Sequence, residues 1–151
     1  RPVSSAASDV YKRQIIRSFQ LGAVRNMLKR DEKEEWCRLE EWLQSTKSKK
    51  KLIGIGGNIR SFLNSHGSKE MSLNEFIKKS KRLSMMNTKE KIKKYKFSPD
   101  RADVIDHALH VFKFIAEQLE IQTITSTKWG ISDSIAIKLF HELYSSKVTI
   151  S

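Results

Sequence analysis

The chain has 151 residues, 38% hydrophobic and 30% charged, with 2 Pro and 6 Gly; that is about one domain's length with enough apolar content for a core, which excludes a disordered or fibrous chain. The longest apolar runs, such as Ile15–Ile16 and Ile135–Ile137, are far too short to span a bilayer, and the opening residues do not read as a secretory leader. The net charge of +12 favours an anionic partner (nucleic acid, an acidic surface or a polyphosphate), although a solubilising lysine surface explains it as readily.

Residues 1–14 stand apart. Asp9-Val10-Tyr11-Lys12-Arg13-Gln14 looks like one reading frame of a transposon adapter, and Pro2–Ser8 reads like more of the same. Fold reasoning therefore starts at residue 15 and takes 15–151 as one unit. Residues 1–14 carry three basic groups (Arg1, Lys12, Arg13) and one acid (Asp9), so +10 of the net +12 belongs to the rest. The single cysteine, Cys37, cannot form an internal disulfide; it is expected to pack inside a helix, in a reducing cytoplasm.

Alternation over Arg17–Leu21 predicts a strand ended by Gly22. Asp31–Gln44 reads as an amphipathic helix, with Trp36, Leu39 and Leu43 on one face and acids in its first turns. A Lys-rich connection over Ser45–Lys51 leads to a short strand, Leu52–Ile55, then the turn Gly56-Gly57-Asn58 and a helix over Ile59–Asn64. After a loop over Ser65–Met71, Ser72 and Glu75 form a capping box ahead of Leu73, Phe76, Ile77 and Leu83. Thr88 is expected to cap a short basic helix ending at Tyr95. Ser98-Pro99-Asp100 opens the longest helix, about Pro99–Leu119, whose broad apolar face predicts deep burial. Ile121–Ser126 predicts a strand. Trp129-Gly130-Ile131 then turns into a last helix, Ser132–Tyr144, and the tail Ser145–Ser151 carries no strong signal. This is an α/β alternation, which suits phosphate chemistry at strand ends without naming a reaction.

Two segments carry the chemistry. In Leu52–Arg60, glycines at a strand end let the backbone approach an anion, and the next helix offers free N–H groups and a positive dipole end. Asn58 is placed to cap that helix. There is no Gly-Lys-Ser/Thr ending, so this is not a Walker loop, and turn glycines without a ligand fit a bare Gly-x-Gly-Gly as well. In Ser98–Ile105, Asp100 and Asp103 lie one turn apart with Arg101 beside them; acids at a helix start and a surface ion pair are the plain reading.

Together the segments resemble one family. Phe19–Arg25 is similar to the Pro-Leu-Gly-Ala-Val-Arg stretch of the exopolyphosphatase/guanosine pentaphosphate phosphatase (Ppx/GppA) family. Gly54–Arg60 resembles its Gly-Thr-Gly-Gly-Thr-x-Arg turn, Pro99–Ile105 matches its Pro-Asp-Arg-Ala-Asp-Val-Ile signature, and Thr127–Ile135 resembles its terminal Gly-Leu-x-Asp-Gly-Ile element. Order and spacing agree over about residues 15–144.

The resemblance implies part of the second domain of an actin-like (ribonuclease-H-like) ATPase fold. It also implies hydrolysis of terminal phosphoanhydride bonds in polyphosphate or guanosine pentaphosphate, with Mg2+, in a cleft between two domains of a cytoplasmic enzyme. In the family, a first-domain carboxylate activates water and two glycine-rich loops hold phosphate and metal. Neither loop and no such base is found in this chain, so no catalytic or metal residue is assigned and the piece is expected to be inactive alone. Gly54, Gly56, Gly57 and Asn58 would contact phosphate, with Arg60, Arg101 and Asp103 in support. A second copy is a further partner that the resemblance allows. Ile55 and Asn58 stand where the family has Thr, Asp106-His107 where many members have Pro/Gly-Ala, and Ser134 where it has Gly.

The alternative is a basic module that binds nucleic acid or polyphosphate without catalysis. Lys47–Lys51, Lys78–Arg82 and Lys89–Lys96 are its case, though a solvated helix face explains them more cheaply. The aromatics Trp36, Trp42 and Trp129 are not interleaved with the basic runs and read as core or domain contacts, so nucleic acid is the less favoured ligand. His107 and His110 have helical spacing but no third ligand nearby for a metal; His66 and His141 read as surface residues. A sheet lacking some of its strands should leave an exposed edge and a marginally stable unit.

Overall fold

The computed structural model describes residues 15–46, 49–128, 130 and 135–140. The adapter-like segment 1–14, Trp129, Ile131–Ser134, His141 and the tail Ser145–Ser151 lie outside the described residues. In chain order the elements are α1 (Ala23–Met27), α2 (Lys33–Gln44), β1 (Lys51–Gly54), α3 (Gly57–Ser65), β2 (Glu70–Ser72), α4 (Leu73–Ser84), α5 (Thr88–Tyr95), α6 (Pro99–Gln118) and β3 (Thr123–Ser126). Residues 135–140 are also helical.

The three strands form one sheet in the order β1-β3-β2. β1 runs parallel to β3, Lys51 opposite Thr123 and Gly54 opposite Ser126; β2 runs antiparallel, Met71 opposite Ile124. Among the described residues β1 is therefore an edge strand, and its Ile53 is 59% exposed. The expected exposed edge is present.

Helix α6 is the hub: α1, α2, α3, α4 and α5 all pack on it. Its 20 residues span about 30 Å, with Pro99 in the first turn where a missing N–H costs nothing. Ala102, Ile105, Leu109 and Ala116 are buried against Phe62 and Leu63 of α3 and Phe76 and Leu83 of α4. Phe62 and Phe76 meet edge to face, centroids 5.3 Å apart, a favoured aromatic geometry. Small Ala residues at the crossings let the helices approach; the large rings fill the remaining volume.

The caps are local chemistry. Ser72 accepts from the Glu75 N–H at 3.3 Å, which is one half of the expected box; the Glu75 carboxylate instead pairs with Lys79 one turn on. At α5 the cap is Asn87 rather than Thr88. Asn87 Oδ1 accepts from the Glu90 N–H at 3.0 Å and Glu90 Oε2 accepts from the Asn87 N–H at 2.9 Å, a complete reciprocal box. Thr88, one position further in, donates its hydroxyl to Asp103 of α6 at 2.9 Å. Lys96 ends α5 in the left-handed region, φ 57°.

Three further sequence expectations fail for clear reasons. Arg17–Leu21 is not a strand: the Gln20 N–H donates to Glu35 Oε2 at 2.8 Å, while Phe19 packs on Trp42. A side-chain carboxylate has replaced the ladder partner. The expected loop over Ser65–Met71 ends in a strand, β2, over Glu70–Ser72, because Met71 reaches the core beside Ile124. Cys37 is exposed rather than packed, since α2 turns Leu39 and Leu43 inward.

A polar network joins α1, α2 and α6. Trp36 Nε1 and Asn26 Nδ2 both donate to Asp31 Oδ2 at 2.8 Å, and Asn26 Oδ1 contacts His107 Nδ1. Because Asn26 spends its amide N–H on Asp31, its oxygen is the acceptor and His107 carries its proton on Nδ1. The Trp36 hydrogen bond, aided by Asn26, holds the Asp31 carboxyl below its ordinary pKa. The Gln20 amide, with Arg38 and Arg25, does the same for Glu35. On the other flank the ammonium of Lys91, only 5% exposed, pairs with Asp106.

Candidate functional site

The candidate site is built at the end of β1. Gly54 is buried, and a Cβ there would lie 2.8–2.9 Å from Ile59 and Phe112. The strand can abut α3 and α6 only because this side chain is absent. Its carbonyl accepts from the Thr127 N–H at 3.2 Å. Gly56 then turns the chain at φ +121°, a conformation only glycine adopts without strain.

Gly57 is the first residue of α3, and the N-cap is Gly56 with no side-chain cap. The expected capping by Asn58 is absent, because Asn58 already sits in the second helical position. The first N–H groups of α3 are thus left without intrahelical or side-chain partners, at the positive end of the helix dipole. A shallow pocket of about 210 Å³ opens here, lined by the turn itself, by Gly22 and Ala23, and by Phe112 of α6.

Arg101 closes the turn from behind. Its Nη2 lies 2.7 Å from where a Gly57 Cβ would be, and its Nη1 donates to Ser61 Oγ at 2.7 Å. The sequence reading paired Arg101 with Asp100 and Asp103 on the surface. The structure instead sends it across to α3, and Asp103 is engaged by Thr88. Two motifs some forty residues apart in sequence therefore form one unit.

Arg60 donates to the Lys128 carbonyl at 2.9 Å, tying α3 to the segment that follows β3. Of the residues singled out in sequence, Gly54, Gly56, Gly57, Asn58 and Arg101 come together. Arg60 is a brace on the same helix, and Asp103 belongs to the α5–α6 junction. Ser61 was missed. It lies four residues after Gly57, so helical periodicity puts both on one face, but nothing local marks it as a partner for Arg101.

Two of the residues that depart from the family pattern, Asp106 and His107, have structural partners. Asp106 pairs with Lys91 of α5 and His107 with Asn26 of α1, so both fasten helices to the hub. His110 is exposed and meets Trp36 edge-on at 5.4 Å; it does not join His107 around a common point. His66 is half-buried between Phe62 and Tyr95 rather than freely exposed. Trp36 and Trp42 pack against the core as expected.

No cluster of three or more His, Cys, Asp or Glu side chains able to hold a metal exists among the described residues, and no carboxylate lines the pocket at the turn. The described residues do not fit a resident magnesium; the turn is suited to an anion. No helix among the described residues is long and apolar enough to cross a membrane.

Solved structures define the class. The chain is an α/β unit forming part of an actin-like fold. Ppx/GppA phosphatases are among the solved structures that share it. One crystal structure of the Aquifex aeolicus Ppx/GppA phosphatase, a type II variant, superposes with a TM-score of 0.65 at 18% identity, over 83% of this chain and 49% of that one. A second structure of the Aquifex aeolicus family member gives 0.64 at 19% identity, over 91% and 51%. An exopolyphosphatase from Cytophaga hutchinsonii gives 0.61 at 16%, over 91% and 47%. The chain spans about half the length of these structures. No protein-family model matches it, and no curated protein matches it in sequence.

Proposed function

We propose that residues 15–151 are the C-terminal part of a Ppx/GppA-type phosphatase core, and that the intact, cytoplasmic protein hydrolyses terminal phosphoanhydride bonds of polyphosphate or guanosine pentaphosphate. The observation that carries this reading is the glycine turn at the end of β1, backed by the Arg101 guanidinium, within a fold shared with Ppx/GppA structures. Free helix N–H groups face the pocket at the turn, and a guanidinium held by Ser61 stands behind Gly57. Preorganised donors of this kind stabilise developing charge in phosphoryl transfer.

In this reading the N–H groups of Gly57 and Asn58 donate to phosphate oxygens, while Gly54 and Gly56 give the backbone its path. Arg101 supplies charge from behind the turn, Arg60 holds α3 to the strand-end segment, and Asp103 fixes α6 against α5. The other half of the enzyme would bring the carboxylate that activates water and the residues that hold magnesium, which would neutralise phosphate charge. The test is phosphate release from long-chain polyphosphate with magnesium. The chain alone should release none, and the chain joined to its other half should release it. Failure of the joined protein on both polyphosphate and guanosine pentaphosphate sinks the phosphatase reading and favours a binding module.

A further inference from the structure

Helix α6 carries a second cleft on the face turned away from the glycine turn. The turn pocket uses Ala108, Val111 and Phe112 of α6. At about 100° per residue, Asp106, Leu109, His110 and Lys113 fall on the opposite side of the helix. Together with α4 they line a cleft of about 390 Å³. Ile77 and Leu109 give it an apolar wall; Ser80, Lys81, Asp106 and Lys113 are its polar groups.

Two atoms of these cleft residues are buried with no hydrogen-bond partner among the described residues: the Ser80 hydroxyl and Asp106 Oδ1. A buried hydroxyl or carboxylate oxygen left in this state costs stability and calls for a partner. Ser84, one turn further along α4, lines the same cleft but returns its hydrogen to the Lys81 carbonyl at 2.9 Å, as helical serines commonly do. Ser80 makes no such bond, and it does not bond Asp106 either. Each orphaned atom sits on a soft torsion, the serine χ1 or the carboxylate χ2, and a small rotation turns it to the cleft. One group set between α4 and α6 then satisfies both.

The chemistry of that group follows from its surroundings. Lys91 already holds Asp106 Oδ2, so the carboxylate's charge is met and Oδ1 calls for a neutral donor. A hydroxyl serves both atoms, donating to Asp106 Oδ1 and accepting from Ser80. An ammonium would set a second cation beside the buried Lys91. The other polar groups of the cleft are cations. Lys81 has no acidic partner among the described residues, and Lys113 holds Glu117 only loosely, at 3.7 Å. Lys113 lies two helical turns from Asp106, about 10 Å along the axis, and its long stem shortens that span to the size of a small molecule. We infer that the α4–α6 cleft binds a small hydroxydicarboxylate, with its hydroxyl between Ser80 and Asp106, its carboxylates on Lys81 and Lys113, and its carbon chain against Ile77 and Leu109. The site lies across the hub from the glycine turn and does not depend on the phosphatase reading.

The test is calorimetric titration of the 151-residue chain with L-malate, succinate and L-aspartate, which share two carboxylates and differ in carrying a hydroxyl, only hydrogen or an ammonium. L-Malate should bind, about tenfold tighter than either of the others. Ser80→Ala should abolish that preference while leaving succinate binding and the thermal midpoint unchanged, because the hydroxyl has no protein partner to lose. Lys81→Gln/Lys113→Gln should weaken malate and succinate alike, and Lys81→Arg/Lys113→Arg should bind like the parent, which separates charge loss from misfolding. No saturation by L-malate up to about 10 mM overturns the site and leaves water to hold the two orphaned atoms. Succinate binding as tight as malate, or a preference that survives Ser80→Ala, overturns the placement of the hydroxyl. Aspartate binding tighter than malate overturns the choice of a neutral donor. Malate affinity untouched in the Gln variant puts the ligand elsewhere and sinks the proposal.

Discussion

The helical layer and the sheet divide the labour of this molecule. Around α6 every neighbouring helix is stapled by buried rings, by the Lys91–Asp106 pair or by the Asp31–Asn26–His107 network. Among the described residues the sheet has three short strands, an edge with Ile53 and Ile55 about 60% exposed, and a candidate site at its end. Stability should therefore reside in the helices, and the sheet end should tolerate change wherever the glycines and Arg101 are spared.

The largest test of that division is Phe62→Ala. Phe62 has 0% exposure, and its loss should cost about 3–5 kcal/mol by chemical denaturation; a cost under about 1 kcal/mol would show that the helical core does not carry the fold. Gly54→Ala, at the seam between the two regions, puts a methyl group within 2.9 Å of Ile59 and Phe112. Overpacking of this kind should cost about 1–3 kcal/mol.

Lys91→Ala leaves the partly buried Asp106 carboxylate without its partner and should cost about 1–3 kcal/mol. Lys91→Ala/Asp106→Ala should recover part of that loss, and a double variant no better than the single one would contradict the pairing argument.

Acid should loosen the helical layer in a defined window. Asp31 and Glu35 both titrate below their ordinary values in the fold. The unfolded chain therefore binds their protons first, and their contribution is fully present above about pH 4.5. It should fade as pH falls through their lowered native values. Asp31→Asn should blunt the acid-induced change in thermal midpoint, with tryptophan fluorescence reporting the Trp36 contact. The smallest effect should come from Ile53→Lys at the exposed edge, within about 0.5 kcal/mol; a large loss there would mean that the edge is covered.

Much of this was legible in sequence because it is local. The helices at 33–44, 73–84 and 99–118 follow from apolar spacing, capping residues and Pro99, and the glycine turn from Leu52–Asn58 alone. The order of motifs pointed to a Ppx/GppA-like fold, and the fold agrees. Legibility ended where a partner far along the chain competes with the local one. Arg17–Leu21 has a strand's alternation, but its backbone bonds to Glu35. Thr88 has a cap's chemistry, but its hydroxyl serves Asp103 while Asn87 caps. Arg101 has acids beside it, yet it fills the space left by Gly57 and bonds Ser61.

By itself, then, the sequence determined the helices at 33–44, 73–84 and 99–118, the Ser72 cap, the helix start at Pro99, the bend at Gly56 and the sign of the charge, because each depends on residues within a turn or two of one another. Tertiary structure alone decided that β2 exists, that Asp106 and His107 are fasteners, and that the arginine of one motif stands behind the glycines of another. Those outcomes depend on which groups remain unsatisfied once the helices have packed on α6, and no local pattern encodes that.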